Sequence, residues 1–267
     1  MPDLFSIAGK TALVTGGSRG IGFMIAGEFL KAGAARVYIC ARKAEACDSA
    51  AAELSRLGEC VSIPADVGDL AGVDRLAEAI EQREPKLHIL VNNAGTAWGA
   101  SVDDYPMDQV DRVLKVNVRA VFHLTQRLLG RLRAAATEDD PARVINIGSI
   151  DGLAIPITQN YAYSASKAAV HMLTRHLAHA LVKDHVNVNA IAPGLFPSRM
   201  TRWAFDSPDV RNGIVAGIPM GREGTAEDVG GTAIYLASRA GAYLTGVVIP
   251  VAGGLATIDA TASVELC

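Results

Sequence analysis

The sequence has few cysteines and no arrangement that would use them. Cys40, Cys47, Cys60 and Cys267 are the only four in 267 residues. None forms a CxxC pair or stands at zinc-ligand spacing from a histidine, so neither a metal site nor a redox pair is indicated. Cys40 and Cys60 fall within or beside apolar stretches, where a free thiol behaves as a small hydrophobe; reduced thiols in a cytoplasmic protein are expected. Long hydrophobic runs are also missing. No apolar stretch reaches the ~18 residues of a membrane span, and the opening MPDLFSIAGK lacks the cationic region and apolar core of an export signal. Neither charge dominates: 25 Lys and Arg stand against 28 Asp and Glu, with a pI near 6.1. Such a balance leaves no electrostatic footprint for nucleic acid or an anionic membrane.

Half of the residues are hydrophobic, enough to bury one large core, and α/β chains of this length often form a single domain. Around Tyr163-Ser164-Ala165-Ser166-Lys167, the apolar residues Ala165, Ala168, Ala169, Met172, Leu173 and Leu177 recur every three or four positions. That spacing predicts a helix with one buried face, on which Tyr163 and Lys167 are neighbours. A free phenol titrates near pH ~10 and exchanges protons poorly at neutral pH, but a nearby cation favours its ionised form. The pair is therefore expected to act as an acid or base. Tyr161 lies six residues from Lys167 and so on another face. Ser149 ends the run RVINIGS, which reads as a buried parallel strand with the hydroxyl emerging at its carboxyl edge, where α/β sheets bind ligands.

Earlier in the chain, KTALVT meets GGSRGIG and then a helical pattern. Strand, glycine turn and helix in that order suit a phosphate-binding loop, in which Gly16, Gly20 and Gly22 let backbone N–H groups and a helix dipole face a pyrophosphate. The next strand, RVYICA, ends at Arg42 with no Asp or Glu. An acid there would bind a free ribose 2′-hydroxyl, whereas an arginine accommodates a 2′-phosphate. Arg42, with Arg19 in the glycine loop, predicts NADPH over NADH; solvated arginines are the bland alternative. The third strand, CVSIPA, runs into Asp66-Val67, placed to meet an adenine, although Asp66 could equally cap the helix starting near Asp69. A fourth, LHILV, runs into Asn92-Asn93-Ala94-Gly95, whose small residues admit a ligand and whose asparagines can tie strand ends together. A long helical pattern from Val110 to Leu124 contains Asn117, a poor helix former that needs a partner, a water or a function. VNVNAIA and GVVIPV complete seven strand candidates alternating with helices. Between them, a segment at about 195–220 reads as a lid, with Trp98, Trp203 and Phe205 as apolar wall.

Together, TGGSRGIG, NNAG at 92–95, Asn117, Ser149, YSASK at 163–167 and PG at 193–194 resemble the short-chain dehydrogenase/reductase family over roughly residues 8 to 254. The resemblance implies a single-domain Rossmann-type doubly wound parallel sheet of seven strands in the order 3-2-1-4-5-6-7, usually in a homotetramer or homodimer. It also implies that Tyr163 donates a proton to a carbonyl whose oxygen Ser149 holds. Lys167 would bind the nicotinamide ribose and lower the tyrosine pKa, and Asn117 would anchor a water in a proton relay. Cofactor contacts would come from Gly16, Ser18, Arg19, Gly20, Ile21 and Gly22, then Arg42, Asp66, Val67, Asn93, Ala94 and Gly95. Pro193, Gly194, Phe196 and Ser198 would hold the nicotinamide carboxamide. Within the family, GTAWGA at 95–100, PARVINIGS at 141–149 and FPSRMTR at 196–202 are most similar to 3-oxoacyl reductases, whose substrate is a thioester of acyl carrier protein or CoA. The family's common Asp-Gly-Gly is Ala252-Gly253-Gly254 here, and a tail continues over about 255–267. Two other readings stay open: reduction of another ketone, steroid or sugar, and a non-catalytic NADPH-binding sensor or structural subunit.

Overall fold

A computed structural model describes residues 4–156, 158–205 and 207–255 of the chain. Seven strands form one sheet: β1 (Thr11–Thr15), β2 (Arg36–Ala41), β3 (Cys60–Pro64), β4 (Ile89–Asn92), β5 (Ala142–Ile147), β6 (Val186–Pro193) and β7 (Val248–Val251). Their order is β3-β2-β1-β4-β5-β6-β7, every pairing parallel, as the family resemblance implied. The central strands read as unbroken apolar runs because helices cover both faces; β1, β4, β5 and β6 are buried throughout.

One face packs α1 (Gly20–Lys31), α2 (Ala44–Leu54) and α9 (Ala226–Ala237) around Ile25, Phe29, Leu54 and Leu236. The other packs α3 (Leu70–Arg83), α5 (Ala120–Ala135) and α6 (Tyr161–Leu181) around Leu76, Ile80, Leu124, Leu128 and Leu181. Strand order reverses between β1 and β4, and the sheet opens there into a crevice at the carboxyl ends.

Four local features depart from the sequence reading. The helical stretch expected from Val110 to Leu124 is two helices, α4 (Met107–Leu114) and α5, joined by a π-helical turn over Lys115–Arg119 that contains Asn117. A π turn inserts one residue and breaks the side-chain register, a change often found at functional sites. Next, α6 starts at Tyr161, so both tyrosines share its first turn. The segment expected to be an irregular lid contains two short helices, α7 (Arg202–Phe205) and α8 (Pro208–Ala216). Finally, Asp66 does not cap α3. Its Oδ1 accepts from Gly68 N at 2.9 Å in a local turn, and Asp69 occupies the cap position without a side-chain bond. The Trp203 side chain and the tail from 256 onward lie outside the described residues.

Candidate active site

The ends of β1, β4 and β5 are tied together by side chains. Asn92 Nδ2 donates to Asn146 Oδ1 at 2.9 Å, and Asn146 Nδ2 donates to Thr174 Oγ1 on α6 at 2.9 Å. Asn93 Nδ2 donates to Thr15 O at 2.8 Å, while Thr15 Oγ1 accepts from the backbone N of Asn93 and of Ala94. Buried amides with such partners fix the strand ends against one another.

Above these ends lies a cleft of about 490 Å³. Its wall holds Gly16, Ser18, Arg19, Gly20 and Ile21 from the glycine turn, Arg42 after β2, Asp66 and Val67 after β3, and Asn93, Ala94 and Gly95 after β4. Ser149, Tyr163, Lys167, Pro193, Gly194, Phe196 and Ser198 also line it. Two expected residues do not line it. Gly22 is buried, and a Cβ there would stand 2.3 Å from Asn93 Nδ2, so this glycine serves helix-to-strand packing rather than ligand contact. Asn117, 1% exposed, lies beneath the cleft.

The cleft suits a dinucleotide phosphate. Gly16 and Gly20 have φ of +67° and +57°, a backbone region that penalises any side chain. No side chain caps the start of α1, and its first turn has no acidic residue. Its orphan N–H groups and positive dipole end therefore remain available to an anion. Arg19 and Arg42 are exposed at the rim and make no ion pair among the described residues.

Three polar side chains converge on the cleft from β5 and α6. Lys167 Nζ donates to Ile147 O at 2.7 Å and stands 5.5 Å from the centroid of the Tyr163 ring. Ser149 Oγ accepts from Asp151 N at 3.1 Å, which leaves its own O–H to donate elsewhere. Tyr161 points away: it is 45% exposed and packs edge-on to Tyr105. Asn117 is held at every polar atom of its side chain. Its Oδ1 accepts from Thr96 N, and its Nδ2 donates to Thr96 O and Ser166 Oγ, each at 2.9 Å. With both amide protons engaged, the side chain has no donor left for a water.

Burial dominates the electrostatics, correcting the expectation that Lys167 lowers the phenol pKa. Burial pushes Tyr163 up to about 12; the neighbouring Ser149 hydroxyl pulls it down and Asp151 pushes it further up. Burial likewise brings Lys167 down to about 8, opposed by the charge of Asp151. Desolvation disfavours both charged forms, and the ammonium donates one of its three protons to the Ile147 carbonyl. At neutral pH the phenol is thus protonated beside a lysine that is still mostly charged.

Sequence reasoning missed several wall residues. These are Arg112 and Val116, four apart on α4 and the π turn; Arg199, Met200 and Thr201, within the segment expected as the lid, line the cleft too. Thr201 Oγ1 donates to Phe196 O and bonds to both Ser198 N and Ser198 Oγ, so it shapes the loop after β6. Among the described residues there is no group of three or more side chains able to hold a metal, and no helix long and apolar enough to cross a membrane.

Comparison with known proteins agrees with this geometry. Residues 16–256 match the family described as enoyl-(acyl carrier protein) reductase. The chain is 54% identical, over 95% of its length and 99% of the relative's, to the rhamnolipids biosynthesis 3-oxoacyl-(acyl-carrier-protein) reductase of Pseudomonas aeruginosa. It is 37% identical to 2-dehydro-3-deoxy-D-gluconate 5-dehydrogenase of Bacillus subtilis, over 94% of this chain and 96% of that one. A solved Pseudomonas aeruginosa RhlG/NADP active-site complex superposes with a TM-score of 0.93 at 53% identity, covering 96% of this chain and all of that one. Fold, cleft and these matches together make the chain a member of the short-chain dehydrogenase/reductase family.

Proposed function

We propose that the protein is an NADPH-dependent oxidoreductase that reduces the 3-keto group of a 3-oxoacyl thioester, on acyl carrier protein or CoA, to the 3-hydroxy product. The observation that carries the substrate class is the 54% identity, along nearly the whole chain, to a 3-oxoacyl-(acyl-carrier-protein) reductase. NADPH would lie along the cleft, its pyrophosphate at the glycine turn and α1, its 2′-phosphate near Arg19 and Arg42, its adenine near Asp66 and Val67. The carboxamide would meet Pro193, Gly194, Phe196 and Ser198. When bound, the cofactor supplies the hydride.

The chain's own residues manage the proton. Ser149 donates to the ketone oxygen, and Tyr163 protonates that oxygen as negative charge develops on it. An alkoxide is about as basic as hydroxide, whose conjugate acid has a pKa of ~15.7, so a phenol at about 12 gives up its proton downhill. Lys167 supplies positive charge beside the phenol and holds the ribose. Asn117, its side chain already committed, would contribute to a water relay only through its backbone. The chain folds as one domain, with the segment at about 195–220 as its lid. The exposed Met107, Leu114 and Phe122 on α4 and α5 support assembly as a homodimer or homotetramer, and the unpaired Cys40, Cys47 and Cys60 support a cytoplasmic setting.

A sugar-acid reading is favoured by one observation, the 37% identity to a dehydrogenase of that class. Assay of acetoacetyl-CoA and longer 3-oxoacyl thioesters against a panel of ketones and keto-sugars, with NADPH consumption followed, separates the two. Thioester turnover at higher kcat/KM is expected; turnover of keto-sugars alone would reject the proposal.

A further inference from the structure

Asp151 sits two residues after Ser149, in the short turn Ile150–Gly152 that follows β5, and takes no part in the cleft wall. Its backbone N donates to Ser149 Oγ at 3.1 Å. Its carboxylate accepts from Asn160 Nδ2 at 2.8 Å. The carbonyl of Asn160 in turn accepts from Tyr163 N at 2.8 Å and from Ser164 N at 3.0 Å, holding the first turn of α6. Three hydrogen bonds therefore run from the Ser149 hydroxyl to the backbone of Tyr163. Asn160 Oδ1 is buried with no partner among the described residues, so the side chain's single hydrogen bond is the one to Asp151. A buried amide oxygen left unpaired is costly; the contact with Asp151 is what this placement gains.

The same carboxylate acts on the charged groups around it. Burial raises the pKa of the Asp151 carboxyl, opposed by the hydrogen bond from Asn160 and by the charge of Lys167, and the charge of Asp151 acts in return on Lys167 and Tyr163. His171 packs beneath the turn, where a Cβ on Gly148 would fall 2.1 Å from its Nε2. Burial pushes it down to about 4, so it stays neutral and adds no charge at physiological pH.

We propose that Asp151 is a positioning residue: through Asn160 it clips the Ser149 turn onto the start of α6, and its carboxylate sets a negative charge beside the Tyr163–Lys167 pair. The inference rests on the reading of Tyr163 and Lys167 given above. Two separable effects follow, one geometric and one electrostatic. Asp151→Asn keeps an acceptor for Asn160 but removes the charge, whereas Asn160→Ala removes the clip but keeps the charge.

The electrostatic effect is read without substrate. The stability difference between each enzyme and its Lys167→Met counterpart, measured by denaturant unfolding across pH, reports where Lys167 titrates in the fold. In the wild type that difference begins to change near pH 8. In Asp151→Asn it begins roughly one unit lower, and in Asn160→Ala it stays at the wild-type position. The geometric effect is read in turnover of whichever carbonyl substrate the wild type reduces, with kcat in Asn160→Ala reduced by between about ten- and a hundredfold and KM for NADPH unchanged. An unmoved titration in Asp151→Asn, or an unchanged kcat in Asn160→Ala, would overturn the inference. Absence of thioester turnover in the wild type would count against the substrate alone.

Discussion

Asn117 Nδ2 donates to Ser166 Oγ at 2.9 Å, and that hydroxyl donates onward to the carbonyl oxygen of Tyr163 at 2.6 Å. A side chain from the π turn is thus fastened to the helix that carries Tyr163 and Lys167. The other end of the same amide grips the backbone of Thr96 in the loop after β4. One buried residue therefore sets the relative position of the loop after β4, the π turn and α6.

Asn117→Ala removes all three bonds and strands the partners in a dry site. Loss of a buried, multiply bonded polar group costs about 1–3 kcal/mol, so the denaturant midpoint should fall accordingly. Turnover should fall by more than the fraction unfolded accounts for, because Tyr163 loses its support. Denaturant unfolding and steady-state kinetics on the same preparation check both. Asn117→Asp, able to accept from Thr96 N but not to donate, should recover only part of the loss.

Lys167 gives a pH signature of opposite sign to most surface lysines. Its pKa in the fold, about 8, lies below the ordinary 10.5. Between these values the unfolded chain binds more protons than the native one, so stability contributed by this group rises with pH. Relative to Lys167→Met, the wild type should gain roughly 3 kcal/mol from pH 7 to above pH 10. The two unfolding free energies, compared across that range, test it; a constant difference would show that burial does not hold the ammonium at a disadvantage.

Much of the fold could be read from residue order, because each strand is a short apolar run and each helix has a buried stripe. The glycine turn was legible for a local reason, since φ at Gly16 and Gly20 admits little else. Three properties were not legible. The π turn was hidden because Val113, Leu114, Val118 and Val121 still fall at near-helical spacing across one inserted residue. Desolvation of the Tyr163–Lys167 pair depends on what covers it, which spacing does not encode; hence the phenol pKa moves up rather than down. The packing role of Gly22 depends on Asn93, a residue distant in sequence.

Cofactor choice should respond to Arg42. Charge-assisted hydrogen bonds contribute ~1.5–3 kcal/mol each, so Arg42→Ala should lower the ratio of kcat/KM for NADPH to that for NADH about tenfold or more. Arg19→Ala should act in the same direction. Steady-state kinetics with both cofactors measures the ratio, and an unchanged value in both variants would free the arginines of any role at the 2′-phosphate.

The most direct measurement is turnover of acetoacetyl-CoA by Tyr163→Phe with NADPH binding followed in parallel by cofactor fluorescence. The phenyl ring keeps the packing against Lys167 and removes only the hydroxyl. With Tyr163 as the proton donor, kcat falls by about 10²–10⁴-fold while the affinity for NADPH holds. Wild-type turnover in that variant, on a preparation that still binds NADPH, would contradict the account.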